Sequence, residues 1–180
     1  MHSLHVLLNR LADAGIEFVV IGGFAGTLHG SSLITDDVDV CAVLSADSVE
    51  KIKSAFADLH PVHRQTHRRL SFLDNPRAGV ALNNLYLETD HGIIDVLTSV
   101  LGVGDFARLK ERAIKIPLYG RMILLISLED LIVAKEAVGR EKDLLAVKEL
   151  RAIAANGGLI GIGYWDGAVC EPTIENIVKA

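Results

Sequence analysis

The sequence predicts an α/β protein, and three observations carry that reading. A β-branched and aromatic run, Glu17 to Ile21, breaks at Gly22-Gly23 into a short helical stretch. A valine-rich alternating run, Asp37 to Leu44, is followed by a stretch of helical length, and two pairs of strand-sized apolar runs flank turn-rich junctions.

Met1 to Gly15 places Leu4, Leu7, Leu8 and Leu11 at helical spacing with Asn9, Arg10 and Asp13 opposite, an amphipathic helix without the cleavage pattern of a signal peptide. Phe24 to His29 is a short helix closed by Gly30, and Ser31 to Asp36 is loop. Ala46 to Leu59 is helical. His60 to Arg77 is polar and broken by Pro61 and Pro76, so most of it is an excursion, with Leu70 to Leu73 as its one strand-like run. Asn84 to Glu88 and Gly92 to Leu97 form a hairpin across Thr89-Asp90-His91-Gly92, which puts Asp95 in mid-strand.

Asp105 to Arg112 is the next helix, and Ile114 to Leu118 pairs with Met122 to Ile126 across Tyr119-Gly120-Arg121. Ser127 opens another helix, and with Asp130 it matches a capping box, each side chain satisfying a free backbone donor. Glu141 to Ala155 is the last clear helix. The expected organisation is a core over residues 1–126, C-terminal helices over 127–155 and a Gly-rich tail of unknown role over 156–180.

The chain has 180 residues, half of them hydrophobic, and a formal net charge of −5. That balance suits one folded domain and argues against nucleic-acid binding by bulk electrostatics, which needs many Lys and Arg contacts to phosphate. The mean hydropathy of +0.35 leaves room for an apolar partner surface. No apolar run approaches the roughly 18 residues that span a bilayer, so no membrane segment is expected and a cytoplasmic setting is. Cys41 and Cys170 form neither a CxxC nor a disulfide framework, and both are expected to be reduced.

Strand period two sets Asp37 and Asp39 on one face and Val38 and Val40 on the other, with Asp36 pointing away from the pair. Two adjacent carboxylates repel and are costly to desolvate; a divalent cation between them removes that cost, and hard oxygen ligands completed by phosphates suit magnesium. Asp95 interrupts an otherwise apolar run, Ile93-Ile94-Asp95-Val96-Leu97, and needs a donor, a cation or a catalytic task. Gly22-Gly23 stands between strand and helix, where backbone N–H groups favour phosphate. The alternative is a solvated strand edge, an Asp95 paired with lysine and an ordinary tight turn.

Ile21-Gly22-Gly23, a short helix, Thr35, Asp37-Val38-Asp39-Val40 and Ile94-Asp95-Val96 resemble the DNA polymerase β-type nucleotidyltransferase superfamily. The resemblance spans Glu17 to Leu150, in the order of the small prokaryotic members, including abortive-infection and toxin–antitoxin nucleotidyltransferases. It implies a mixed β-sheet flanked by helices, with two magnesium ions (Mg2+) held by Asp37, Asp39 and Asp95. It also implies a nucleoside triphosphate such as ATP contacted by Gly22-Gly23, and pyrophosphate leaving as a hydroxyl attacks the α-phosphate. Asp95 would accept the proton of that hydroxyl.

Lys135 shares the apolar stripe of Leu128, Leu131 and Ile132, so it must snorkel or meet an anion: the triphosphate, or a Glu or Asp. Ser31 and Ser32 are the loop hydroxyls assigned to phosphate. Small members also carry a sequence like Arg140-Glu141-Lys142-Asp143, but the acidic residue expected shortly after it is missing from Leu144-Leu145-Ala146-Val147. His60, His63, His67, Arg64, Arg68 and Arg69 form a basic cluster that either receives an acceptor or is a solvated loop. The acceptor stays open among RNA, a protein hydroxyl and a small molecule, with an antitoxin-like protein as a further partner. The competing reading is a nucleotide- or partner-binding module of the same fold without turnover.

Overall fold

The computed structural model describes residues 3–157. Most of the Gly-rich tail, with Cys170, lies outside them. Six helices are described: α1 (Leu4–Asp13), α2 (Gly22–Leu28), α3 (Ala46–Ala55), α4 (Phe106–Arg112), α5 (Leu128–Val138) and α6 (Glu141–Ala155). The strands are β1 (Phe18–Ile21), β2 (Asp37–Ala42), β3 (Val62–His63), β4 (Asn84–Thr89), β5 (Gly92–Leu97), β6 (Ser99–Val100), β7 (Gly104–Asp105), β8 (Ile114–Leu118) and β9 (Arg121–Leu125). Seven of them form one sheet in the order β3-β4-β5-β2-β1-β9-β8, while β6 and β7 make a separate ribbon.

The sheet is mixed. β1 runs parallel to β9 and β2 parallel to β5, and the remaining neighbours are antiparallel. Val20, Val40, Val96 and Leu85 are register partners across four strands and are all essentially inaccessible, so their row is a spine of the core. Leu7, Leu8 and Leu11 of α1 join the same cluster, as do Val49 and Ile52 of α3, which is what their helical spacing requires. The β8–β9 hairpin turns through Tyr119 (φ 50°) and Gly120 (φ 75°). Two successive positive φ values match the twist of the flanking strands, and Gly120 takes the second without cost.

Three expectations need correction, and one element was not foreseen. The stretch expected as one helix from Ala46 to Leu59 stops at Ala55 and continues as a 3₁₀ turn, Ala57–Leu59, because buried Phe56 ends the helical geometry and His60 turns left-handed (φ 47°). Leu70 to Leu73 is not a strand: only Ser71 bridges to Val62, and Val62–His63 is the segment that joins the sheet. The β6–β7 ribbon was hidden because two-residue strands carry no periodic pattern. In the capping box, Ser127 Oγ does accept from the Asp130 N–H at 3.2 Å, but the Asp130 carboxylate turns instead to Arg112 Nε at 2.9 Å.

Candidate active site

One row of backbone register crosses the sheet. Ile21 of β1 lies opposite Asp39 of β2, Asp39 opposite Asp95 of β5, and Asp95 opposite Tyr86 of β4. The Arg64 N–H donates to the Tyr86 carbonyl at 3.1 Å and extends the row past β3. Register partners share a face, so Asp39, Asp95 and Tyr86 project together, with Asp37 two residues before Asp39 on the same side. Gly22-Gly23 follows Ile21 at one end of the row, and Arg64 stands at the other.

Gly22 is confined by Asp39. A Cβ at Gly22 would lie 1.9 Å from Asp39 Oδ2, and the backbone there has φ +69°. The Gly23 backbone amide lies near enough to the Asp39 carboxylate to favour its charged form. Burial, then the charges of Asp37 and Asp95, push the Asp39 carboxyl up to about 7. Asp37 accepts from the Thr35 hydroxyl. Asp95, 6% exposed, receives a two-pronged contact from Arg64, with Nε at 3.0 Å from Oδ1. Burial still leaves its pKa above the ordinary carboxylate value, against the pull of that guanidinium.

Among the described residues no three carboxylate, imidazole or thiolate groups close on one point as folded, and Asp37 and Asp95 each hold a donor of their own. The donor set nonetheless fits a divalent cation. Asp37, Asp39 and Asp95 offer hard oxygen donors on adjacent parallel strands, and after burial their mutual repulsion adds to the rise at Asp39.

The row floors a cleft of about 670 Å³, within the usual range for a small-molecule site. Its lining includes Gly22, Gly23, Ser31, Asp37, Asp39 and Asp95 from the expected set, together with Lys135. A more open depression of about 630 Å³ between α1 and α3 is lined by Arg10, Asp13, Asp47, Glu50 and Lys51. Those charges are spent on surface ion pairs with one another or with close neighbours, which makes that depression an ordinary solvated face.

Lys135 combines its two readings. It lines the cleft, where its charge helps to hold the Asp39 pKa down, and its Nζ lies 3.5 Å from Asp143 Oδ1. Asp143 also accepts from Arg140 Nε at 2.6 Å and is 3% exposed. Burial alone would raise the Asp143 carboxyl; Arg140 and Lys135 more than reverse this and leave it below the ordinary value. One buried carboxylate therefore anchors two cations at the cleft. Ser31 Oγ donates to Glu149 at 2.6 Å and the Ser32 N–H donates to the same carboxylate at 2.7 Å, which ties the loop to α6. His29 caps α2, buried, with Nε2 donating to the Ile126 carbonyl at 2.8 Å.

Sequence reasoning missed Arg64, Tyr86, Asp143 and Glu149 as parts of this assembly. Arg64 sat in a basic loop without periodicity, and only the β3–β4 register carries it to Asp95. The Arg140-to-Asp143 spacing was visible, but the buried position of Asp143 was not.

The mixed sheet, the glycine turn opening α2 and the carboxylates of β2 and β5 at one cleft define the class: this is a nucleotidyltransferase fold. The lincosamide antibiotic adenylyltransferase LnuA, solved with lincomycin bound, matches with a TM-score of 0.58 at 16% identity, over 83% of this chain and 95% of that one. A candidate nucleotidyltransferase of Thermotoga maritima matches at 0.49 and 16% identity, over 85% and 91%. The ANT(2'')-Ia structure in complex with adenylyl-2''-tobramycin matches at 0.45 and 13%, over 83% and 95%. The chain belongs to the family described as nucleotidyl transferase of unknown function (DUF2204), whose model matches residues 1–163. Its activity is thus that of a nucleotidyltransferase. Curated proteins offer no match.

Proposed function

We propose that the protein moves a nucleoside monophosphate group from a nucleoside triphosphate, ATP among the candidates, to a hydroxyl acceptor and releases pyrophosphate. The observation that carries this is the register row: Asp39 and Asp95 lie directly opposite one another beside a glycine turn that lines the same cleft. Magnesium held by Asp37, Asp39 and Asp95 would supply the positive charge that both the attacking and leaving oxygens need. Asp95, its pKa raised by burial, is the group to take the proton of the attacking hydroxyl. Gly22-Gly23 and Lys135 hold the phosphates, with Lys135 kept in place by Asp143. Ser31 supports the same end of the cleft through Glu149.

The acceptor is drawn from RNA, a protein hydroxyl or a small molecule, and an antitoxin-like partner fits the resemblance to the small prokaryotic members. No helix among the described residues is long and apolar enough to cross a membrane. A cytoplasmic setting goes with this reading, and among the described residues Cys41 is buried and free. A module without turnover is favoured by one observation, the Arg64–Asp95 pair, which engages the carboxylate assigned to catalysis. Pyrophosphate release from each nucleoside triphosphate, with magnesium and whole-cell extract as acceptor source, separates the two. Release that falls at least a hundredfold in Asp37→Ala/Asp39→Ala supports transfer, and release unaltered by that change overturns it.

A further inference from the structure

The far end of the register row bears on the acceptor, and the inference rests on the nucleotidyl-transfer reading above. With the triphosphate at Gly22-Gly23 and in-line displacement at its α-phosphate, the attacking hydroxyl has to arrive from the side opposite the leaving pyrophosphate. Along the row that side is Asp95, then Tyr86, then Arg64. There the Arg64 guanidinium lies over the Tyr86 ring, 5.7 Å from its centroid. Arg69, on the same excursion, reaches Glu88, which shares the face of Tyr86, while Arg68 and Arg77 are exposed nearby in sequence.

Among the described residues Arg64 makes one ion pair, with Asp95, while the charges of Asp37 and Asp39 act on it from further off. Its side chain is 30% exposed and packed on an aromatic face, so it is not simply a solvent-facing charge. Once Asp95 serves a metal, the guanidinium loses that counter-ion inside the cleft, and a half-desolvated cation next to bound cations is unfavourable unless an anion joins it. We infer that the acceptor carries a phosphate group, which the Arg64 guanidinium takes over when Asp95 turns to the metal, with Tyr86 packing against the acceptor's body. Arginine's planar fork suits carboxylate and phosphate alike, so the same residue can exchange one for the other. A polycationic acceptor would meet Arg64 as a like charge.

Binding is the test. The protein is saturated with magnesium and a non-reacting α,β-methylene triphosphate, then titrated calorimetrically with two pairs of probes. One pair is a diadenosine dinucleotide with and without a 5'-phosphate; the other is glucose 6-phosphate and glucose. The phosphorylated member should bind at least tenfold tighter in at least one pair, and the pair that shows it tells an RNA end from a small phosphorylated compound. Arg64→Gln should abolish that preference, Arg64→Lys should recover part of it, and omission of magnesium should remove it in the wild type. If Arg64→Gln folds poorly, Arg64→Lys serves in its place, with a preference reduced but not abolished as the expected result. Equal binding within both pairs, or tighter binding of tobramycin than of either phosphate probe, overturns the inference while leaving nucleotide binding intact. Failure of the methylene triphosphate itself to bind removes the transfer reading and the inference with it.

Discussion

Gly22 is the residue at which backbone and chemistry meet. A methyl group there would both force a side chain into the left-handed region and press on Asp39. Gly22→Ala should therefore cost more than the roughly 1–2 kcal/mol of left-handed strain alone and should weaken nucleotide binding, read from a denaturant midpoint and a titration on one sample. Asp95→Asn should abolish transfer. It should also leave the partly buried Arg64 guanidinium without its partner, so stability should fall, and a urea titration checks it. A stability gain from relieved repulsion would be the outcome if the carboxylates stood alone, and Arg64 argues against it.

Asp39 sets a pH dependence whose sign follows from its raised pKa. Its ordinary value is 3.8 and its folded value about 7, so the proton is held more tightly in the folded chain. The stability this adds is complete below about pH 4 and is lost as pH rises through 7. Asp95 is raised and acts in the same direction. Asp143 and Glu149 are lowered, so their contribution is present above their ordinary values of 3.8 and 4.5 and is lost as pH falls below them. In chelator, the melting temperature should be highest in the weakly acidic range, and Asp39→Asn should flatten the decline across neutrality. An unchanged decline in that variant would remove Asp39 as its source.

At the scale of elements, α5 and α6 deliver cations to the cleft and are held by caps and a buried carboxylate. Ser127→Ala removes the side-chain acceptor at the start of α5 and should cost about 1 kcal/mol in chemical denaturation. Asp143→Asn should act differently: it releases Lys135 and Arg140 together, so nucleotide KM should rise several-fold more than kcat falls. A loss confined to kcat would place the pair at the reacting atoms instead.

The same elements show what was legible. The strand, glycine turn and helix from Glu17 onward, the Asp-x-Asp strand and both hairpins could be read because each joins a period to a chain-breaking residue. Asp39 and Asp95 could be paired as chemistry, but their direct opposition is a matter of register between strands far apart in sequence. The excursion after His60 resisted reading for a related reason. Its order comes from long-range anchors: Lys53 Nζ donating to the Pro76 carbonyl at 2.6 Å, and Phe72 buried against the sheet-side cluster. Neither leaves a local pattern, so Arg64 looked like one basic loop residue among several.

For the whole molecule, the proposed reading has an acidic chain bind a polyanion through local means: a glycine turn, a few anchored cations and a cluster of carboxylates that would favour a divalent cation. That construction makes nucleotide and metal mutually dependent, because each supplies what the other lacks, ligands on one side and charge on the other. Together, at about a hundred times the dissociation constant, they should stabilise the fold by roughly 2.7 kcal/mol, and a thermal scan reads this directly. Asp37→Ala/Asp39→Ala should retain only the metal-free part of that gain. The most direct measurement is a calorimetric titration of the wild-type chain with a nucleoside triphosphate, once with magnesium and once with chelator. The account predicts affinity at least tenfold higher with magnesium, and equal affinity in the two titrations would contradict it.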